Sequence, residues 1–168
     1  LKPLDLTGDF ELEIADFKVG NKPISDPTVT TMLHLPTGKA TGTLEIFKDH
    51  LVVQADRVVG PLSRGRAVVD VGFGPYGPLD IRADLYQADL RAFQPMGDSK
   101  LRGTGRIKGR IFGPFGDFQA VADGVLEDFS VAGVDYADRL ESPIRSDMKR
   151  LWLDHAKATL GDTRYQGN

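Results

Sequence analysis

The stretch Leu101-Arg102-Gly103-Thr104-Gly105-Arg106-Ile107-Lys108-Gly109-Arg110-Ile111 alternates apolar or glycine residues with polar residues. This period of two is typical of a β-strand, because successive side chains of a strand point to opposite faces. One face carries the basic side chains and the other carries glycine, leucine and isoleucine. Glycine inside a strand often marks bending or the close approach of another group. The stretch therefore predicts a curved strand with an apolar face.

The same alternation recurs along much of the chain, at residues 10–14, 79–85 and 118–126. A change of phase before Phe129 and Val131 is typical of a bulge or turn. Gly- and Pro-rich turn signals separate these stretches. Helical character is confined to residues 86–93 and 145–158. We therefore predict a mostly antiparallel all-β fold with few or no helices.

An internal repeat accompanies the alternation. Phe73-Gly74-Pro75-Tyr76-Gly77 reappears 39 residues later as Phe112-Gly113-Pro114-Phe115-Gly116, and Pro36-Thr37-Gly38 precedes the first copy at the same spacing. We predict that Pro-x-Gly marks a turn in each copy, with about four short strands per period. The periods are about 34–72, 73–111 and 112–150, within a single elongated unit of residues 1–168.

Composition narrows the classes of function. With 21 Lys+Arg against 24 Asp+Glu, the net charge of -3 argues against a protein that coats nucleic acid. The absence of cysteine excludes disulfides and thiolate metal sites. No apolar run approaches the ~20 residues that a transmembrane helix needs. Because the sequence starts at Leu1 and stops in mid-pattern at Asn168, we expect it to be a piece of a longer protein.

One motif could indicate a nucleotide site. Gly72, Gly74 and Gly77 form G-x-G-x-x-G after an apolar run, as in dinucleotide-binding loops and, loosely, in methyltransferases that use S-adenosylmethionine. Both kinds of site need a helix directly after the loop. Pro78 and an alternating stretch follow here, so we interpret the motif as a turn. A small nucleotide-dependent enzyme remains the third hypothesis for the chain.

Other signals of chemistry are weak. The three histidines, His34, His50 and His155, lack the spacing of a zinc site, and no G-x-S-x-G nucleophile motif is present. The basic stripe, Arg102, Arg106, Lys108 and Arg110, is more typical of a solvated strand face than of a phosphate-binding surface. We predict no catalytic residue, no metal, no cofactor and no enzymatic activity.

The sequence resembles a known family in three stretches, the last of which is Leu151-Trp152-Leu153-Asp154 followed by Ala158-Thr159-Leu160-Gly161-Asp162-Thr163-Arg164-Tyr165-Gln166-Gly167. The three stretches are similar to repeats of the translocation and assembly module (TamB) and AsmA-like family. The first two are Gly103-Thr104-Gly105-Arg106-Ile107-Lys108-Gly109-Arg110-Ile111-Phe112-Gly113-Pro114 and then Asp123-Gly124-Val125-Leu126-Glu127-Asp128-Phe129-Ser130-Val131-Ala132-Gly133-Val134. These are bacterial envelope proteins, also called bridge-like lipid transfer proteins. Residues 60–167 carry most of the likeness.

The resemblance implies a long sheet curled into an apolar-lined trough, a β-taco. It implies the periplasmic portion of an inner-membrane-anchored protein, with membrane contact only through segments outside this chain. The expected function is to bind and conduct phospholipid or another amphipathic chain, contributing to outer-membrane biogenesis. An outer-membrane β-barrel protein is a possible partner of the parent chain, and nucleic acid is not expected. The residues that we assign to the lipid groove are Phe10, Leu12, Ile14, Leu79, Ile81, Leu85, Leu101, Ile107, Ile111, Phe118, Leu126, Phe129 and Val131.

The second hypothesis is a structural or interaction module. A glycine-lined apolar face also fits the closed core of a solenoid or sandwich, which associates through open sheet edges. That hypothesis predicts a filled core and association that depends on protein concentration.

Overall fold

The computed structural model describes residues 6–21, 30–74, 77–93, 100–114, 117–147 and 150–167. Within these ranges the all-β prediction is confirmed, since eleven β-strands form one sheet and the only helical element is a 3₁₀ turn at Leu90–Ala92. The strands are β1 Leu6–Asn21, β2 Thr30–Ile46, β3 His50–Val59, β4 Ser63–Gly72, β5 Pro78–Asp89, β6 Arg102–Pro114, β7 Gln119–Val131, β8 Val134–Ser146, β9 Leu151–Leu153, β10 Ala156–Leu160 and β11 Thr163–Gly167.

The sheet is an antiparallel meander. From β1 to β8 each strand pairs with the next in sequence, and β10 and β11 continue the order, while β9 pairs with the other half of β8. Antiparallel strands can be joined by short turns, which is why a chain punctuated by glycine and proline adopts this topology. Among the described residues the sheet stays open, with β1 at one edge and β11, together with the short strand β9, at the other.

The alternation of the sequence separates two faces. In β6 the side chains of Ile107 and Ile111 lie on what we call the inner face, whereas Arg106, Lys108 and Arg110 are exposed on the outer face. The inner face holds three clusters of buried apolar residues. Cluster 1 contains Leu79, Ile81, Ile111, Phe118 and Ala120; cluster 2 contains Leu90, Leu101, Leu126, Phe129, Ala137, Leu140 and Ile144; cluster 3 contains Ala40, Ala55 and Val58.

The sheet is curled towards its inner face. Leu33 of β2 forms a β-bridge with Phe93, just after β5. In a flat sheet β2 and β5 would lie about 14 Å apart, since neighbouring strands are about 4.8 Å apart. Phe93 packs against both cluster 1 and cluster 2. The start of β2 and the segment after β5 therefore lie over the inner face and cover part of it.

Small residues cross the middle of the inner face. The strand registers align Gly42, Ala55, Ala67, Ala83, Gly109 and Ala122 across β2 to β7, and we call this set the small-residue row. A Cβ added at Gly109 would lie 2.6 Å from the Cβ of Ala122. Opposite Cβ atoms in a regular sheet are about 4.5–5.5 Å apart. The backbones of β6 and β7 therefore approach unusually closely here, and glycine is required.

The outer face is charged and internally compensated. The register places Arg66, Asp84, Lys108 and Asp123 opposite one another on four successive strands, so the charges alternate in sign. Arg66 forms an ion pair with Asp84 at 3.0 Å. Opposite charges on neighbouring strands stabilise a sheet by about 0.2–1 kcal/mol per pair. The basic stripe of β6 is thus part of a solvated face of mixed charge.

Several local expectations were wrong. Pro36-Thr37-Gly38 lies inside β2 and is not a turn. The predicted period of about residues 73–111 was expected to hold four short strands. It holds instead two long strands, β5 of 12 residues and β6 of 13 residues, the last of which extends past the period. The 39-residue spacing therefore superimposes β5 on β7, which run in the same direction two strands apart. Residues 86–93 form the end of β5 and the 3₁₀ turn, and the described residues of 145–158 form strands and turns.

Candidate functional site

The residues assigned to the lipid groove differ widely in exposure. Leu79, Ile81, Leu101, Ile111, Phe118, Leu126 and Phe129 are buried, whereas Phe10, Ile14, Leu85, Ile107 and Val131 are half-buried. Leu12, on the edge strand β1, is 50% exposed. The buried members lie towards β5–β8 and the more accessible ones include the members on β1, so access to the inner face varies along the sheet.

The structure brings these residues together in groups. Leu79, Ile81, Ile111 and Phe118 share cluster 1, and Leu101, Leu126 and Phe129 share cluster 2, with Ile107 and Val131 packed against it. Phe10 and Ile14 pack against cluster 3. The inner face is therefore a succession of apolar neighbourhoods across the strands.

An accessible apolar part of the inner face was missed by the sequence analysis. Its members lie on β2, β3 and β4 in two registers: Leu44, Val53 and Val69 in one, and Ile46, Leu51 and Val71 in the other. All six are half-buried. The signal was present, because residues 51–53 are an apolar run and residues 68–71 are apolar apart from Asp70. Such continuous runs do not show which face each residue takes, so only the strand registers assign it.

Polar groups are scarce on the inner face. Among the residues that the structure describes, the buried polar ones are the serines Ser63, Ser130, Ser142 and Ser146. The hydroxyl of Ser142 donates a hydrogen bond to the carbonyl oxygen of Pro143 at 2.7 Å. In the part of the chain that the structure describes, no buried side-chain polar atom lacks a partner. This surface can therefore hold an apolar group by burial, and its buried residues offer hydroxyls rather than charges for directional binding.

The outer face contains an open cavity of about 850 Å³ that crosses the middle of β3 to β8. It is lined by outward-facing charged residues, among them Arg66, Arg82 and Lys108, with the backbone of the small-residue row as its floor. The large inner-face residues Ile81 and Ile107, which would form the walls of a groove on the other side, are absent from the lining. This cavity is therefore an open groove that combines charged side chains with the apolar side chains of Val68 and Val121.

Ion pairs organise the charges around that groove. Arg110 donates hydrogen bonds to both carboxylate oxygens of Asp80 at 2.8 Å, and Arg82 donates a third at 2.8 Å. Partial burial acts to raise the pKa of Asp80, but the hydrogen bonds and charges of the two arginines outweigh it, so this pKa lies below its usual value. The guanidinium of Arg110 also lies 4.7 Å from the ring centroid of Phe112. Compensated pairs of this kind are structural features of a solvated face.

The glycine motif lies in a hairpin connection. β4 ends at Gly72 and β5 begins at Pro78, so a strand follows the loop where a nucleotide site requires a helix. The N–H of Gly77 donates a hydrogen bond to the carbonyl oxygen of Gly74 at 3.2 Å. Pro75 and Tyr76 lie outside the described residues. The loop thus lacks the helix N-terminus that would face a phosphate.

The histidines take part in surface contacts. His34 Nε2 lies 2.7 Å from a carboxylate oxygen of Asp16, and His50 Nδ1 lies 2.8 Å from one of Asp49. His155 occupies the turn between β9 and β10. Among the described residues no group of three or more His, Asp or Glu side chains is placed to hold a metal ion.

Comparison of the chain with protein-family models, with curated proteins and with solved structures finds no match. Within the residues that the structure describes, no helix could span a membrane.

Proposed function

We propose that this chain is a non-enzymatic segment of a longer, periplasm-spanning envelope protein, and that it binds and conducts lipid along the inner face of its sheet. The ligand would be phospholipid or another amphipathic chain, and the process served would be outer-membrane biogenesis. The observation that carries the proposal is the accessible apolar part of the inner face on β2–β4. It continues on β1, where Leu6 and Leu12 are 56% and 50% exposed.

Burial of an acyl chain against such a surface is favourable without specific chemistry. Each methylene that leaves water contributes about 0.8 kcal/mol. The half-buried side chains of Leu44, Val53 and Val69 form one row across three strands, perpendicular to the strand direction. A chain lying along that row would pass from strand to strand, which is the geometry that conduction along the sheet requires.

A pair of matched valine variants tests the proposal. Val53 is on the inner face, and Val68, on the neighbouring strand, is 36% exposed on the outer face. Lipids that co-purify with wild type, Val53→Asp and Val68→Asp are identified by mass spectrometry. Uptake of a labelled phospholipid is measured from vesicles of phosphatidylethanolamine and phosphatidylglycerol. We expect Val53→Asp to lose lipid and Val68→Asp to retain it.

A second variant guards against loss of folding. Leu12→Asp places a charge on the inner face of an edge strand where the side chain is already half exposed, so the desolvation cost is small. Circular dichroism and thermal unfolding check that each variant keeps its β-sheet. A folded wild type that carries no lipid, or folded Val53→Asp and Leu12→Asp variants that bind as well as Val68→Asp does, would contradict the proposal.

One observation favours a structural or interaction module as the second candidate. Towards β5–β8 the inner face is filled by the chain's own side chains, with Leu101 2%, Phe118 1% and Leu126 1% exposed. Phe93 and Leu33 pack over cluster 1. A filled core is what a closed module requires, and a lipid-free, stable, β-rich protein would support this candidate.

A further inference from the structure

We propose that the two edges of the sheet are complementary, so that copies of this chain associate head to tail through β1 of one copy and β11 of the next. The inference rests on the edges alone and is independent of lipid binding. In the part of the chain that the structure describes, β1 has a neighbour only on its β2 side and β11 only on its β10 side. Each edge therefore presents backbone N–H and C=O groups that another strand can pair with.

The edge at β1 is long, acidic on one face and apolar on the other. β1 has 16 residues, and Asp9, Glu11 and Glu13 are exposed on its outer face. Asp9 and Glu11 face Thr43 and Thr41 of β2, so neither lies opposite a cation. Leu12 is half exposed on the inner face. A partner strand should therefore alternate apolar residues with residues that are basic or neutral.

The three central residues of the edge strand β11 fit that pattern. Tyr165 shares the inner face with Ala158 and Leu140, and Arg164 and Gln166 are exposed on the outer face. Arg164 lies opposite Thr159 of β10, so its charge faces a neutral residue within the chain. The strand thus offers an unopposed cation where β1 offers unopposed carboxylates.

Strand direction also agrees. Because neighbouring strands alternate in direction along the meander, β11 runs opposite to β1. A second copy moved along the sheet then pairs its β1 antiparallel with β11 of the first, with the inner faces on the same side. The register that places Tyr165 opposite Phe10 sets Arg164 opposite Glu11. It brings together an aromatic pair and a charge pair, both of which favour cross-strand pairing.

Self-pairing of β1 is the competing arrangement, and its charges oppose it. Two antiparallel β1 strands would set acidic side chains of the outer face against one another, and like charges directly opposite destabilise a sheet. The head-to-tail contact is heterologous, so it can extend into rows of copies. Such rows would also extend the inner face from one copy to the next.

A charge exchange tests the contact. Association of the 168-residue chain is measured by sedimentation velocity over a range of protein concentrations at low and high salt. We expect concentration-dependent oligomers of wild type that weaken at high salt. Glu11→Arg and Arg164→Glu should each raise the dissociation constant about tenfold, because an attractive cross-strand pair becomes repulsive.

The double variant Glu11→Arg/Arg164→Glu should restore association, since the exchanged charges again attract. Asp123→Arg is the matched control, because Asp123 is also exposed but lies on an interior strand, and it should leave association unchanged. All variants lie on exposed positions, and circular dichroism verifies their folding. A chain that stays monomeric throughout overturns the proposal. The proposal is also overturned if the double variant associates as weakly as the single variants do, or if Glu11→Arg weakens association and Arg164→Glu does not.

Discussion

The close packing of β6 against β7 makes Gly105 difficult to replace. A Cβ added at Gly105 would lie 2.0 Å from the carbonyl oxygen of Val125 and 3.0 Å from the Cα of Leu126. Both are backbone atoms held in the sheet, so they cannot move without breaking local hydrogen bonds. Overpacking of this kind costs about 1–3 kcal/mol, and sometimes more. We expect Gly105→Ala to lower the free energy of unfolding by about 3 kcal/mol, the upper end of that range.

Two other glycines provide matched controls for the same change. A Cβ at Gly124 would lie 3.0 Å from Cδ1 of Ile144, the tip of a flexible side chain, and a Cβ at Gly8 would have no atom within 4 Å. Gly124→Ala should therefore lower the free energy of unfolding only slightly. Gly8→Ala should stabilise the chain by about 0.5–1 kcal/mol, because alanine loses less conformational freedom on folding than glycine does.

Urea unfolding followed by circular dichroism measures the three differences. In a chain of this length 1 kcal/mol shifts the melting temperature by about 2–4 °C, so Gly105→Ala should melt about 6–12 °C below wild type. Equal stabilities of Gly105→Ala and Gly124→Ala would show that β6 and β7 are not packed as closely as the structure has them. The reasoning about the curl of the sheet would then be refuted.

Two further predictions concern the core and the outer face. Phe118→Ala should lower the free energy of unfolding by about 3–5 kcal/mol, since it removes a fully buried ring. Phe73→Ala, at a side chain that is 50% exposed, should change that free energy little. Urea unfolding compares the two variants. Arg110 and Arg82 lower the pKa of Asp80 in the folded state. The ionised carboxylate therefore contributes to the free energy of unfolding above the pKa of an unfolded aspartate, 3.8, and this contribution is lost as the pH falls below that value. Asp80→Asn should therefore be less stable than wild type at neutral pH and flatten the acid side of the stability profile. An unchanged profile would show that the arginines do not stabilise this carboxylate.

The strands could be predicted from the sequence because alternation is a local property. The run from Leu101 to Ile111 identifies its two faces without any knowledge of its neighbours, and the structure has β6 there with Arg106, Lys108 and Arg110 exposed on one face. The hairpin at Gly74 could be predicted for the same reason, since Pro78 and the alternation after it favour a strand over a helix.

Other features required the fold. The glycine and proline of Pro36-Thr37-Gly38 indicated a turn, yet Gly38 pairs with Ile14 inside a long hairpin. Tertiary pairing with β1 outweighed the local preference there. The coverage of the inner face by Leu33 and Phe93 could not be predicted either, because 60 positions separate these residues in the sequence and only the curl of the sheet joins them.

The sequence by itself therefore determined the all-β class, the two faces of the clearest strands and the absence of cysteine chemistry. Only the tertiary structure decided the register of the strands, and with it the small-residue row, the accessible apolar part of the inner face and which strands form the edges. The physical reason is that register depends on bulges that the sequence pattern did not reveal, such as the shift between Ala55 and Val58 on β3. One extra residue moves every following side chain to the other face, and alternation alone does not count such insertions across paired strands.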